Sequence, residues 1–500
     1  MDALRVKSVE QSVQDTEAPE HRLRKDLSAL DLTVFGIGVI VGTGIFVLTG
    51  RVAREMAGPA VALSFVVAGI VCALAALCYA EFASTVPVAG SAYTFAFATL
   101  GEFPAWIIGW DLMLEMMLGA AVVAVGWSGY LNSLLESLGI PLPDVIAGEN
   151  PAFNLPAALI VLILTAVLVI GIKLSSRVNL IIVAIKLAVI ALVIVVGLFY
   201  INREHYVPFI PPSRQTPAVE GLSAPLIQVL FGVTPVAFGV LGIFSAAAIV
   251  FFAYIGFDVV ATAAEETRNP RRDLPIGIIA SLVICTILYV VVSLVVVGIQ
   301  PYQQLSESAP LADAFKAVGL TWAATLISIG ALAGLTTVVM ILMLGMSRVM
   351  FAMSRDNLLP GGLARVHPTY RTPYLITIIM GVVVALLAGL LPLATIAELV
   401  NIGTLFAFVI VSIAVVILRR TRPDLPRSFR TPLVPLVPIL SVLACLYLML
   451  NLPVKTWLRF VVWMLIGVVV YIGYGYRHSR LSERSPEDRR PTSTDEAPAS

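Results

Sequence analysis

"GIGVIVGTGIF", residues 36–46, lies in the first long apolar run of the chain and places four glycines in nine positions, Gly36 to Gly44. Glycine costs up to about 1 kcal/mol relative to alanine in a helix, so the segment is poorly suited to an unbroken helix. Two readings compete. Gly38 and Gly42 have the small-xxx-small spacing that lets membrane helices pack closely. Alternatively, Gly42-Thr43-Gly44 breaks the helix near mid-bilayer, where bare backbone is tolerated only if protein or a polar cavity surrounds it. The half-helix starting near Ile45 then aims its free N–H groups, with partial positive charge, into the gap. That suits a carboxylate.

The composition around this run defines the solvent. The 500 residues are 59% hydrophobic and 13% charged, with a mean hydropathy of +0.96, outside the range of soluble globular chains. A span needs roughly 20 apolar residues, and about twelve such stretches lie near 28–52, 59–82, 101–131, 155–173, 178–200, 240–264, 276–299, 317–344, 373–391, 394–418, 434–452 and 456–476. They are too long and uniform for barrel strands. The expected fold is therefore an all-α polytopic membrane protein of 12 transmembrane helices. No removable signal peptide is expected in the polar first 27 residues, and residues 477–500, rich in Ser, Pro, Glu and Arg, are expected to be disordered.

Charge sets the orientation. With the amino terminus inside, 24 of the 32 Lys and Arg fall in or next to cytoplasmic segments, 7 in or next to outer segments, and Lys186 alone lies well inside a span. Both termini are thus expected in the cytoplasm and the protein in the cytoplasmic membrane. The net charge of +1 and the lack of a basic, aromatic-interleaved face exclude nucleic acid as a partner. The four cysteines all lie in apolar runs and suit neither disulfides nor a metal site. No cofactor is expected, and no paired nucleophile and base suggests an enzyme.

The interruption recurs five spans later. "VFFAYIGFDVV", residues 250–260, sets Gly256 and Asp258 in an otherwise aromatic and apolar run. Paired interruptions in corresponding spans point to a transporter of two inverted halves with its substrate between them. The first repeat is expected over 28–200, an outer loop over 201–239, the second repeat over 240–418, and two further spans over 434–476.

Charged residues within spans are expensive and usually functional. In "GWDLMLEMM" Asp111 and Glu115 share one helical face. Glu115 reads as a cavity residue, a proton-binding group or a counter-charge to an amine, and the pair can also be read as structural hydrogen bonders. Lys186 needs an acceptor or must lose its proton. It reads as standing in for a coupling cation, donating to carbonyls of the broken first span, unless it lies nearer the cytoplasmic surface. Thr336-Thr337 in span eight suits sodium, but such hydroxyls more often bond their own helix, so proton coupling ranks above sodium coupling. "AAEETRNPRRDLP", residues 263–275, is expected to form a cytoplasmic salt-bridge cluster, with "MSRDNLLP", 353–360, acting similarly. Residues 88–100 are expected to form a short interfacial helix.

With these residues in place, "GIGVIVGTGIFVLTG", "PVAGSAYTFAFATLGEFPAWIIGWDLMLE", "FFAYIGFDVVATAAEETRNPRRDLPIGI" and "SRVMFAMSRDNLLP" resemble the amino acid-polyamine-organocation superfamily, specifically its cationic amino acid transporter family in bacterial form. The likeness covers roughly residues 25 to 475. It implies a five-plus-five inverted-repeat fold with discontinuous helices 1 and 6. It implies that a substrate carboxylate meets amides around Gly42, Thr43, Gly44 and Ile45, and that the amine meets carbonyls of Ile40, Phe252, Ala253 and Ile255, with Tyr254 and Gly256 in the same unwound segment. Phe252 is implied as an aromatic gate, Glu115 and Leu335 as lining the side-chain pocket, and Lys186 as replacing a sodium site. The implied partners are an L-amino acid, a proton, the lipid bilayer and, in some members, a small membrane-protein subunit. Bacterial relatives often carry small neutral amino acids, and the bulk of Leu335 favours such a substrate. The expected function is proton-coupled symport of L-amino acids, with amino acid or polyamine exchange, or uptake of cationic amino acids, as the alternative.

Overall fold

A computed structural model describes residues 26–86, 91–147, 151–171, 176–215, 221–232, 236–370 and 372–479. The polar amino-terminal stretch up to residue 25 and the tail from 480 lie outside the described residues. Ser28 opens the first helix, α1 (Ala29–Ile40), through a reciprocal capping box with Asp31. After a break, a helix with π-helical turns at Gly44–Leu48 and Ala53–Ala57 leads into α2 (Val61–Thr85). There follow α3 (Ser91–Thr99), α4 (Glu102–Ser137), α5 (Leu155–Ile170), α6 (Ser176–Gly197), α7 (Gly239–Val250), α8 (Pro270–Ile299), α9 (Thr321–Arg355), α10 (Tyr374–Leu390), α11 (Leu393–Thr421), α12 (Leu436–Leu450) and α13 (Val454–Val470). The short antiparallel pair Arg214–Gln215 with Val236–Ala237 ties the long loop before α7.

Among the described residues, 8 helices are long and apolar enough to cross a membrane. Four shorter apolar helices accompany them, namely α1, α5, α10 and α12. The core sits around α4, whose most apolar window is 94% buried. A helix apolar all round is a core element, and α4 runs against α9, α11, α5 and α10. α8 packs on both α1 and α2, and α5 packs on α10.

Two expectations need correcting. The segment 91–99 is helical but is not an interfacial helix: Ala92, Tyr93, Phe95, Ala96 and Phe97 are buried against α4 and α11. Its aromatic side chains explain this, since Phe95 stacks on Phe82 and Tyr93 Oη donates to Asp356 at 2.8 Å. The segment after residue 263 forms less of a salt-bridge cluster than its charges suggest. Its ion pair among the described residues is Glu266 with Arg348 at 3.1 Å. What ties this end down is backbone: Asp26 and Leu27 N–H groups donate to Glu266 O, and Arg268 N–H donates to Leu27 O.

Candidate functional site

The first span does break. α1 ends at Ile40, Val41 leaves helical geometry at φ −73°, ψ 89°, and the next helix begins at Gly44 without a side-chain cap. The glycines divide their work. Gly36 lies against Ser281 of α8 and Gly38 against Val183 of α6, so both serve close packing. Gly44 meets the other break directly, because a Cβ there would collide with the backbone of Ala253.

The sixth span breaks by a different device. α7 passes into a 3-10 turn, Phe251–Tyr254, and Ile255 then turns extended at φ −60°, ψ 134°. Gly256 follows at φ +118°, a conformation that L side chains rarely adopt. A Cβ on it would also press on Val39 of the first break. The chain resumes as a 3-10 helix, Asp258–Glu266, and Asp258 Oδ1 accepts from Gly256 N–H at 3.2 Å.

Between the two breaks lies a small cavity, part of it open to solvent. Val39, Ile40, Gly42, Thr43 and Gly44 line it from the first span, Phe252 and Ile255 from the sixth, Gly119 and Val123 from α4, and Val338 and Leu342 from α9. Of the residues singled out in the sequence, Ile40, Gly42, Thr43, Gly44, Phe252 and Ile255 are thus brought together. Ile45, Ala253, Tyr254 and Gly256 are buried or packed just behind this wall, with Tyr254 Oη donating to Phe65 O at 2.7 Å. Glu115 is buried one helical turn from Gly119, and Leu335 is buried about one turn from Val338; neither lines the cavity.

Side chains from three helices satisfy carbonyls of the broken first span. Lys186, fully buried on α6, donates from Nζ to Gly38 O at 2.6 Å and to Val41 O at 3.2 Å. That geometry excludes a position at the cytoplasmic surface. Its stem fits because α9 has Gly334 there, where a Cβ would come 2.8 Å from Lys186 Cε. Tyr130 of α4 donates to Phe46 O at 2.6 Å. Tyr289 of α8, which sequence reasoning passed over, places its hydroxyl 2.6 Å from Ile40 O and 2.8 Å from Ala253 O. One proton therefore serves a carbonyl of each break. Thr336 and Thr337 donate to Leu332 O and Gly334 O of their own helix at 2.7 Å, as hydroxyls in apolar helices commonly do.

The arrangement offers uncapped N–H groups at Gly44 and an unpartnered Thr43 hydroxyl beside an otherwise apolar chamber. That combination can hold a small molecule with an anionic group and an apolar body. An interrupted helix pair around a cavity in an apolar bundle is the build of a membrane carrier. The chain belongs to the amino acid permease family, which it matches over residues 27–474, in agreement with the resemblance read from its motifs. It is 49% identical to the branched-chain amino acid permease BcaP of Bacillus subtilis, over 96% of this chain and 99% of that protein. It is 46% identical to the methylthioribose transporter of the same organism, over 92% and 95% of the two chains. It is 40% identical to the vacuolar cationic amino acid transporter 4 of Arabidopsis thaliana, over 81% of this chain and 65% of that one. The family and these relatives are permeases and transporters, not enzymes.

Proposed function

We propose that this protein imports L-amino acids across the cytoplasmic membrane by proton symport and alternating access. The observation that carries the reading is the meeting of two unwound segments at one cavity, with Gly44 seated on Ala253 and the buried Lys186 amino group on the carbonyls of the first break. In this reading the chain has twelve spans with both termini in the cytoplasm, and residues 28–200 and 240–418 are inverted repeats. The packing of α2 on α8, α4 on α9 and α5 on α10 supports that division, since each pair joins corresponding spans of the two halves. The substrate carboxylate lies at the amides from Gly42 to Ile45, its amine at the carbonyls around Ile40 and Phe252 to Ile255, and Phe252 closes over it. Lys186 and Glu115 couple transport to the proton, with Lys186 taking the place a sodium ion occupies in other carriers.

The chamber wall is Val39, Ile40, Val123, Ile255, Val338 and Leu342, opened by Gly119. This wall suits small neutral and branched aliphatic side chains, in keeping with the branched-chain permease among the relatives, and disfavours a long cationic chain because no acid lines it. Uptake of labelled alanine and leucine into proteoliposomes, with and without an imposed pH gradient, tests the reading. Uptake indifferent to the gradient refutes the coupling; lysine or arginine as the better substrate refutes the assignment of the chamber.

A further inference from the structure

Four of the six carboxyl groups buried among the described residues invite comparison. Glu81, at the end of α2, receives both Arg419 donors at 2.8 and 2.7 Å and the Thr431 N–H at 2.8 Å. Glu102, at the start of α4, receives the hydroxyls of Tyr471 at 3.0 Å and Ser479 at 2.6 Å, one on each oxygen. These are what structural acids look like in this fold. Asp111 is different: it is fully buried, and neither of its oxygens has a hydrogen-bond partner. Glu115, one turn further along α4, has an unpartnered Oε2.

The placement of these two acids is ordered. Residues 111, 115, 119 and 123 are four apart and so follow one face of α4. The last two, Gly119 and Val123, line the cavity. Glu115 is one turn below the cavity and Asp111 two turns below it, nine residues or about 14 Å of helix from the first residue of α4. Among the described residues, the neighbouring elements bring oxygen atoms to this line. From α2 comes the Tyr79 hydroxyl, which is unpartnered and close enough to feel Asp258, Glu115 and Asp111. From the sixth span comes Asp258, with Oδ2 unpartnered. From α11 come the Thr404 hydroxyl beside Glu115 and Gly403. Gly403 makes the room, because a Cβ on it would come 2.9 Å from Asp111 Oδ1. Among the described residues no group of three acidic, histidine or cysteine side chains is placed to hold a metal ion, so these acids form stations in series and not a cage.

We propose that Asp111 is a second proton station, passing the proton of Glu115 from the substrate cavity toward the cytoplasmic end of α4. The proposal rests on the proton-symport reading above. In the step, the O–H bond of the Glu115 carboxylic acid breaks and an O–H bond forms on the Asp111 carboxylate one turn away on the same face of α4. Glu115 is left as a carboxylate and no electron is transferred. Burial without a donor disfavours the charged form, so Asp111 takes the Glu115 proton once its own proton has left toward the cytoplasmic end of α4, and it has no competing partner to surrender.

The test uses the full chain in proteoliposomes enclosing a pH-sensitive dye, with labelled leucine and alanine as probes. Three quantities are read: substrate-induced acidification of the lumen, accumulation driven by a pH gradient, and counterflow exchange without a gradient. Asp111→Asn is expected to keep counterflow within about threefold of wild type and to lose acidification and accumulation at least tenfold, while Asp111→Glu restores both with a displaced pH profile. Full gradient-driven accumulation in Asp111→Asn overturns the relay. Equal loss of counterflow and accumulation in both variants also overturns it, because that is the mark of a structural role. If Asp111→Asn does not fold, Asp111→Glu decides: a displaced pH profile supports the relay, and a profile identical to wild type overturns it. A wild-type protein that never acidifies the lumen refutes the symport reading itself, and the relay falls with it.

Discussion

Replacing Lys186 with methionine removes an ammonium while keeping an unbranched side chain of similar length in the groove beside Gly334. The ammonium makes two bonds, at 2.6 and 3.2 Å, to carbonyls flanking the first break. Hydrogen bonds from a charged group contribute roughly 1.5–3 kcal/mol each, and the longer of these two belongs near the bottom of that range. If even about 3 kcal/mol of this interaction separates the state that holds the break in place from one that does not, the competent population falls about 100-fold, at 1.4 kcal/mol per factor of ten. The assay is initial uptake of labelled leucine into proteoliposomes under a pH gradient, with size-exclusion behaviour and thermal unfolding as controls for folding. A monodisperse Lys186→Met protein transporting about 100-fold more slowly is the expected outcome. Transport within twofold of wild type would falsify the assignment, since the two carbonyls would then need nothing from this side chain.

Three further substitutions probe other parts of the structure. Tyr289→Phe leaves the buried carbonyls of Ile40 and Ala253 without their shared donor, an unsatisfied group costing about 1–3 kcal/mol; uptake should fall at least tenfold, and an unchanged rate removes Tyr289 from the working parts. Gly119→Ala adds a methyl to the cavity wall at an ordinary 3.4 Å contact with Leu342, so leucine uptake should fall relative to alanine uptake by roughly 10-fold or more, from the 1–3 kcal/mol that one methylene makes in an apolar pocket; an unchanged ratio places the side chain elsewhere. Glu81→Gln strips the acid from Arg419 and Arg427 and should lower the thermal midpoint clearly, a buried pair losing one partner costing about 3–5 kcal/mol; an unaltered midpoint shows that the contact is dispensable.

The sequence revealed breaks more readily than heights. Gly42 and Gly44 in the first span and Gly256 in the sixth were legible because a glycine in a long apolar run is a local anomaly, and φ +118° at Gly256 is a conformation that composition anticipates. Lys186 was legible for the same reason, as a charge among apolar neighbours. Axial position has no such signal. Periodicity tells which face of α4 carries Glu115, but whether that residue or Gly119 stands level with the cavity depends on how far α4 slides against α9, which tertiary packing decides. Leu335, set against the lining residues Val338 and Leu342, shows the same one-turn ambiguity on α9. Tyr289 was invisible for another reason. In "ICTILYVVVS" it reads as one more large apolar residue, and its hydroxyl acquires a role only once two distant breaks converge on it. The helix at 91–99 was legible as a helix, but an uncharged run of small and aromatic residues reads alike at an interface and in a core.

An asymmetry in the first break constrains how a zwitterion would engage it. The protein supplies its own donors to the carbonyls of Gly38, Ile40, Val41 and Phe46, drawing them from α6, α8 and α4. Among the described residues no side chain caps the helix that starts at Gly44, and the Thr43 hydroxyl there is unpartnered. The carboxylate end of a substrate therefore meets donors without a side-chain partner, while the amine end meets carbonyls of Ile40 and Ala253 that Tyr289 already bridges. A ligand shifts a conformational equilibrium only through contacts that differ between its states. On the proposed function, the amine is the part of the substrate that supplies this difference, because its binding requires the Tyr289 hydroxyl to release one break or the other. A carboxylic acid of the same shape but lacking the amine should then occupy the site without being carried, and so should act as an inhibitor of leucine uptake that produces no counterflow of its own.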